Sequence, residues 1–275
     1  MARIKTWEEL TICDNFLFQK VMRNESLCKR LIEKLLNIKI KSITYPVTEK
    51  TIDISIGSKS IRLDLYAKTD EGTVVNIEMQ TTDRREMKLP KRTRYYQSLI
   101  DLEVQDKGRE YAELKKSYII FICTFDYFKL GRKVYTFTNR CHECEGLELG
   151  DETCKIILNS GGTVGEVDED IDNFLSYVNG RAAEGAFTQE VASEVERIKR
   201  HDEIRREYMS LRLALAEQHQ DGFEEGKAEG RAEGREAERL FSIRSLMESL
   251  GLTAQQAMNA LKISAEEQSK YLAQI

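Results

Sequence analysis

Apolar residues Phe18, Val21, Met22, Leu27, Leu31, Ile32, Leu35 and Leu36 recur three and four apart across residues 14–36. That spacing predicts one opening amphipathic helix. Residues 43–57 offer β-branched segments, interrupted at Tyr45-Pro46 and followed by a turn at Gly57-Ser58. Residues 61–66 and 73–80 alternate apolar and polar positions on either side of the turn-forming run 68–72, which predicts a β-hairpin. One face of it carries Leu63, Leu65, Val75, Ile77 and Met79; the other carries Asp64, Glu78 and Gln80. A helix is expected next, from about Lys91 with Pro90 in its first turn. Residues 117–125 are almost wholly apolar, the mark of a strand covered on both faces. Shorter strands at 134–139 and 153–158 and a helix at 170–179 complete an α/β body with a mixed sheet between helices.

Beyond residue 181 the pattern changes. Residues 190–220 read as one charged helix with a stripe of Val191, Val195, Ile198, Ile204, Tyr208, Leu211 and Leu215. A repeat of period four follows, with glycines at 222, 226, 230 and 234. Each glycine costs a helix about 1 kcal/mol against alanine, while each charge pair three or four apart returns only ~0.2–0.5 kcal/mol. In isolation that segment is a marginal helix, suited to a connector or an oligomer contact. A helix at 240–250 ending at Gly251, a second capped by Thr253 and a third with Ser264 and Glu267 in a capping-box arrangement make a small helical unit. Such a unit can read DNA as a helix-turn-helix, but where a recognition helix needs cations only Lys262 and Lys270 are available, and phosphate contacts need cations. Packing or protein contact is the better reading. The expected organisation is a core at 1–180, a charged helical connector at 181–239 and a helical unit at 240–275.

Charge changes the picture once it is divided. The net charge of −5 conceals a body at 1–140 with 27 basic and 19 acidic residues, an acidic segment at 141–180 with one lysine against ten acids, and a remainder with 14 basic and 18 acidic. The basic N-terminal body can attract a polyanion. No run approaches the ~20 apolar residues of a membrane span, and the first residues lack the apolar centre of a signal peptide. Six scattered cysteines fit a reducing cytoplasm rather than a disulfide framework. Cys141, His142, Cys144 and Cys154 are poorly spaced for a tetrahedral zinc site.

The hairpin carries the candidate chemistry. Directly paired residues on neighbouring strands sit ~5 Å apart at their β-carbons, so Asp64 opposite Glu78 would bring two carboxylates together. Such a pair repels unless a cation lies between them, and hard oxygen ligands suit Mg²⁺. The bland alternative is a solvated polar face, yet Asp64 stands within an apolar run, where a carboxylate costs β-propensity. Just beyond the hairpin come Arg84, Arg85, Lys88, Lys91, Arg92 and Arg94, followed by Tyr95 and Tyr96. Arginine forks suit phosphate oxygens, so this cluster is a candidate nucleic-acid surface, the alternative being a solvated basic helix.

Asp64 followed after thirteen residues by Glu78-x-Gln80 resembles the PD-(D/E)xK nuclease superfamily. The ordered set Asn15-Phe-x-Phe18-x-Lys20, the Asp…Glu-x-Gln hairpin, the Arg…Tyr-Tyr helix, Asn139-Arg140-Cys141 and 147–151 is similar to the Rpn family of recombination-promoting nucleases, often labelled transposases. The resemblance spans about residues 10–165. It implies a restriction-endonuclease-like mixed β-sheet core flanked by helices, with a charged all-α C-terminal extension. It implies that Asp64 and Glu78 bind Mg²⁺, for which Mn²⁺ can substitute, and that Asp64, Glu78 and Gln80 form the catalytic set. Leu63 stands at the proline of the superfamily name and Gln80 at its lysine. A neutral amide can meet the attacking water but cannot supply an ammonium charge, which Lys88, Lys91 or Arg92 are placed to replace. Asp14 is a supporting candidate for orienting water, with helix N-capping as its simpler role. The implied reaction is in-line, metal-assisted attack of water on a DNA phosphodiester, in recombination, mobile elements or phage defence. The competing reading is a catalytically inactive nuclease fold that binds DNA or acts as a regulatory or oligomerisation module. The C-terminal helices are expected to form a homo-oligomer and are candidates for an inhibitory contact; no membrane partner is expected.

Overall fold

The computed structural model describes residues 4–44, 51–52, 61–62, 65–82, 88–104 and 110–275. Asp64, Leu63, Arg84 and Arg85 lie outside the described residues. The chain divides into two compact units, Met1–Tyr208 and Met209–Ile275.

The first unit is built on a six-stranded mixed sheet. Its strands are β1 (Ile43–Thr44), β4 (Leu65–Thr69), β5 (Val74–Gln80), β6 (Ser117–Cys123), β8 (Thr153–Asn159) and β7 (Val134–Phe137), in that spatial order. β5, β6 and β8 run parallel at the centre, and antiparallel β4 and β7 flank them. β2 (Thr51–Ile52) and β3 (Ile61–Arg62) pair separately. Of the expected hairpin, β4 and β5 are described and pair antiparallel; Ile61 and Arg62 pair with β2, and Leu63 and Asp64, between Arg62 and β4, lie outside the described residues. The Thr69 amide donates to the Thr73 carbonyl and the Gly72 amide to the Thr69 carbonyl. Gly72 has φ +85°, a turn conformation that glycine adopts without the clash a side chain brings.

One face of the sheet is covered by α1 (Asn15–Met22), α2 (Glu25–Leu36), α4 (Glu169–Val178) and α5 (Ala186–Lys199). Phe18, Met22, Leu31, Phe174, Phe187 and Val191 of these helices join Val75, Ile77, Met79, Ile120 and Ile122 in one core. On the other face α3 (Leu89–Val104) lays Leu89, Tyr96 and Ile100 against Val74, Ile119, Phe121 and Ile157. β6 is thus buried on both sides, as its apolar run requires.

Two expected single helices are pairs. The opening helix breaks at Arg23-Asn24, where the Asn24 side chain accepts the Leu27 amide and restarts the chain as α2. An asparagine cap outweighs continued apolar spacing at that point. The helix expected at 190–220 breaks at 200–201, between α5 and α6 (Asp202–Leu250). There the Trp7 indole donates to the Lys199 carbonyl at 3.2 Å, and the Lys199 ammonium donates to the Glu8 and Leu10 carbonyls. The first unit takes in α5 and the start of α6. The buried Lys20 holds Glu207 through both carboxylate oxygens, at 2.6 and 2.8 Å, and the Tyr208 hydroxyl donates to the Lys5 carbonyl.

In the second unit α6 runs unbroken through all four repeat glycines and ends at Leu250 before Gly251. Thr253 caps α7 (Ala254–Ala260) in a capping box completed by Gln256, and Ser264 accepts the Glu267 amide to start α8 (Ala265–Leu272). Ile243, Met258, Ile263 and Tyr271 form a small core. Among the described residues no helix is long and apolar enough to cross a membrane.

Candidate active site

Asn76, Glu78 and Gln80 alternate along the face of β5 that looks toward α3, near its carboxyl end. That face is not open to water: Asn76 is fully buried and Glu78 is 4% exposed. For Glu78 the solvated reading is excluded by α3 lying across it; Gln80 is half-exposed and Asp64 lies outside the described residues. Burying an ionised carboxylate is costly unless charge and hydrogen bonds compensate it, and here they do. Tyr96 donates its hydroxyl to Glu78 Oε2 at 3.4 Å, the Asn76 Nδ2 donates to Glu78 Oε1 at 3.3 Å, and the Arg92 Nη2 stands 3.6 Å from Glu78 Oε2.

Arg92 is the hub of the arrangement. Its Nη1 donates to Gln80 Oε1 at 2.7 Å and its Nη2 to the Tyr96 hydroxyl at 2.8 Å. The guanidinium lies over the rings of Tyr96 and Phe121, 5.4 and 5.1 Å from their centroids, and Tyr96 stacks on Phe121. Arg92 and Tyr96 are four apart on α3, so they share the inward face. Gln80 spends its own N–H on the Thr82 carbonyl at 2.8 Å. Of the three cations weighed for the charge that Gln80 lacks, Arg92 is the one in contact with it.

The other described cations of the basic cluster face outward. Lys88, Lys91, Arg94 and Tyr95 are exposed along α3 and its entry. Arg92, grouped with them by sequence, turns inward instead. Asp64 lies outside the described residues, but it directly precedes Leu65, which pairs with Ile77, the residue before Glu78.

Asp14 belongs to the opposite side of the sheet, with α1. It holds the N-cap position of α1 without capping through its side chain. The carboxylate accepts instead from the Lys5 ammonium at 2.8 Å and from the Thr11 amide at 2.8 Å. It lines a cleft of about 830 Å³ with Thr81, Thr124, Arg181 and Lys199. The 139–151 segment forms a ribbon in which Asn139 donates to Asp151 at 2.6 Å and Arg140 to Glu148 at 3.1 Å. These contacts give the two motif segments a structural role.

Sequence reasoning missed Asn76 and did not separate Tyr96 from Tyr95. Both were within reach of periodicity: Asn76 is two residues before Glu78 in a strand, and Tyr96 is four after Arg92 in a helix.

The donors around Glu78 are oxygen and nitrogen of amide, phenol and guanidinium, with no thiol or imidazole among the contacts described. A buried carboxylate offers the hard oxygen ligands that suit a divalent cation. A complete site needs a second carboxylate, and among the described residues no group of three metal-binding side chains occurs.

A mixed six-stranded sheet with parallel central strands and helices on both faces is consistent with the PD-(D/E)XK nuclease fold. A family model described as PD-(D/E)XK nuclease family transposase matches residues 15–157, from α1 into β8, and the chain belongs to that family. No curated protein and no solved structure matches it significantly.

Proposed function

We propose that this chain is a Mg²⁺-dependent DNA endonuclease, for which Mn²⁺ can substitute, acting in the cytoplasm in recombination, mobile-element movement or phage defence. One observation carries the reading: a carboxylate buried in the middle of a sheet, Glu78, is kept by an arginine, a tyrosine and an asparagine. Packing alone gives no reason to place it there.

Glu78 and Asp64 would hold the cation. When bound, a divalent cation supplies positive charge to a phosphodiester and makes water a better nucleophile near neutral pH. Arg92 sets a fixed guanidinium beside Gln80, where the superfamily carries lysine, and so offers charge to a developing phosphorane. The Gln80 carbonyl, held by Arg92, and the Tyr96 hydroxyl fix the site before substrate arrives. Lys88, Lys91, Arg94 and Tyr95 form an outward ridge suited to phosphates and a base, extended in sequence by Arg84 and Arg85. Asp14, bonded to Lys5 beside α1, is proposed to support the fold rather than the chemistry.

The test is cleavage of supercoiled, linear and single-stranded DNA with and without Mg²⁺ or Mn²⁺. Wild type should nick supercoiled plasmid only with metal, and Asp64→Ala and Glu78→Ala should each be inactive though folded. Retained nicking in either variant rejects the assignment. The second reading, a nuclease fold without catalysis, is favoured by Arg92 itself, whose guanidinium already neutralises Glu78.

We further propose that α6 pairs with a second copy of itself. Residues 213–235 are exposed all round. Their glycine row is flanked on one side by Lys227, Arg231 and Arg235 and on the other by Glu225, Glu229 and Glu233. In a parallel pair the basic flank of one helix meets the acidic flank of the other; in an antiparallel pair like meets like. Weighing the particle with and without residues 209–275, the second unit, tests this: a dimer that persists in the truncated chain rejects it.

A further inference from the structure

Asn76 stands two residues before Glu78 on the same face of β5 and is fully buried. Ile119 lies beside it on β6 and Tyr66 opposite it on β4. Its Nδ2 donates to Glu78 Oε1, and its Oδ1 has no hydrogen-bond partner. The two facts are linked. Turning the amide over would set its carbonyl against the carboxylate, acceptor against acceptor, so Glu78 dictates both the orientation and the orphaned oxygen.

A buried acceptor without a donor is destabilising. A central strand position between such neighbours is normally filled by valine or isoleucine, as Val75 and Ile77 fill the other face of the same strand. The cost has one visible return. Tyr96 and Arg92 both act on Oε2 of Glu78, and Asn76 is the described side chain that holds Oε1. Side chains clamped from both ends keep one rotamer, and a ligand that is already oriented binds with less ordering cost.

We propose that Asn76 is a positioning residue that fixes the Glu78 carboxylate for a divalent cation, at a cost to the stability of the strand. The proposal rests on the reading of Glu78 as a metal ligand. It predicts that Mn²⁺ affinity falls while metal-free stability holds, two measurements that a purely structural asparagine would move together.

The experiment uses the full-length chain as wild type, Asn76→Val, Asn76→Thr and Glu78→Gln. Thermal unfolding is followed in chelator, and Mn²⁺ binding by calorimetry. Asn76→Val removes the orphaned carbonyl but also a donor to the buried Glu78, so the two effects offset and the metal-free Tm should stay close to that of wild type, while Mn²⁺ affinity falls about tenfold, as expected when an orienting partner of a ligand is lost. Asn76→Thr, which also loses the long amide, should show the same pair of results. Wild-type affinity in both Asn76 variants overturns the proposal, as does a fall of the metal-free Tm in both, which would make the residue a structural one. If Glu78→Gln abolishes binding and the Asn76 variants keep it, Asn76 alone has been misread. If wild type and Glu78→Gln bind Mn²⁺ alike, Glu78 is no ligand and both readings fall.

Discussion

Within β5 the two faces of one strand are both buried and do different things. Val75, Ile77 and Met79 enter the core formed with α1, α2, α4 and α5. Asn76, Glu78 and Gln80 lie under α3 in a chain of side-chain hydrogen bonds that runs through Arg92 and Tyr96. Packing on the first face uses dispersion and excluded water. The second face keeps a charge where an apolar side chain would be cheaper. Burial therefore does not separate core from site in this protein; what separates them is whether the buried groups are bonded to one another or merely packed.

That contrast can be broken or sharpened by substitution. Ile77→Ala opens a cavity on the packed face and should cost about 2–5 kcal/mol of stability, read by denaturant unfolding. The residual folded fraction should still bind Mn²⁺ as wild type does. Arg92→Lys keeps the charge and loses the fork that spans Gln80 and Tyr96. It should cut DNA cleavage by roughly 10²-fold, in the range found for losing one preorganised donor, with a smaller stability change of about 1–2 kcal/mol. Equal losses of stability from the two variants would erase the distinction.

Asp126 gives a smaller, sharper contrast. Burial opposes its charge, but the amides of Gly131, Lys129 and Phe128 and the Tyr135 hydroxyl outweigh that and hold its carboxyl below the ordinary carboxylate range. Three of its donors are backbone, so its task is to fix the loop after β6. A depressed folded value means its contribution is complete above the ordinary range and is lost as pH falls through the folded value. The Tm gap between wild type and Asp126→Asn should be largest at neutral pH and shrink in acid, without a matching change in Mn²⁺ affinity.

Much of the fold was legible because the signals were local. The apolar run of β6, the alternation of β5 and the caps at Thr253 and Ser264 each belong to a few neighbouring residues. The breaks at Asn24 and between α5 and α6 were harder to see, since apolar spacing continues across both. The second break is stabilised by Trp7 and by Lys199 reaching back to Glu8 and Leu10, far away in sequence. Alternation put Glu78 and Gln80 on one face, but a polar face reads as exposed until something covers it, and α3 is nonlocal. For the same reason Arg92 counted among surface cations, although its partners are Gln80 and Tyr96.

The central claim is that Glu78 is buried in order to bind a cation. Calorimetric titration of the intact chain with Mn²⁺, wild type against Glu78→Gln, tests it most directly. The account predicts saturable binding in wild type, none at that site in the variant, and equal folding of both. Identical heats in the two proteins would contradict it.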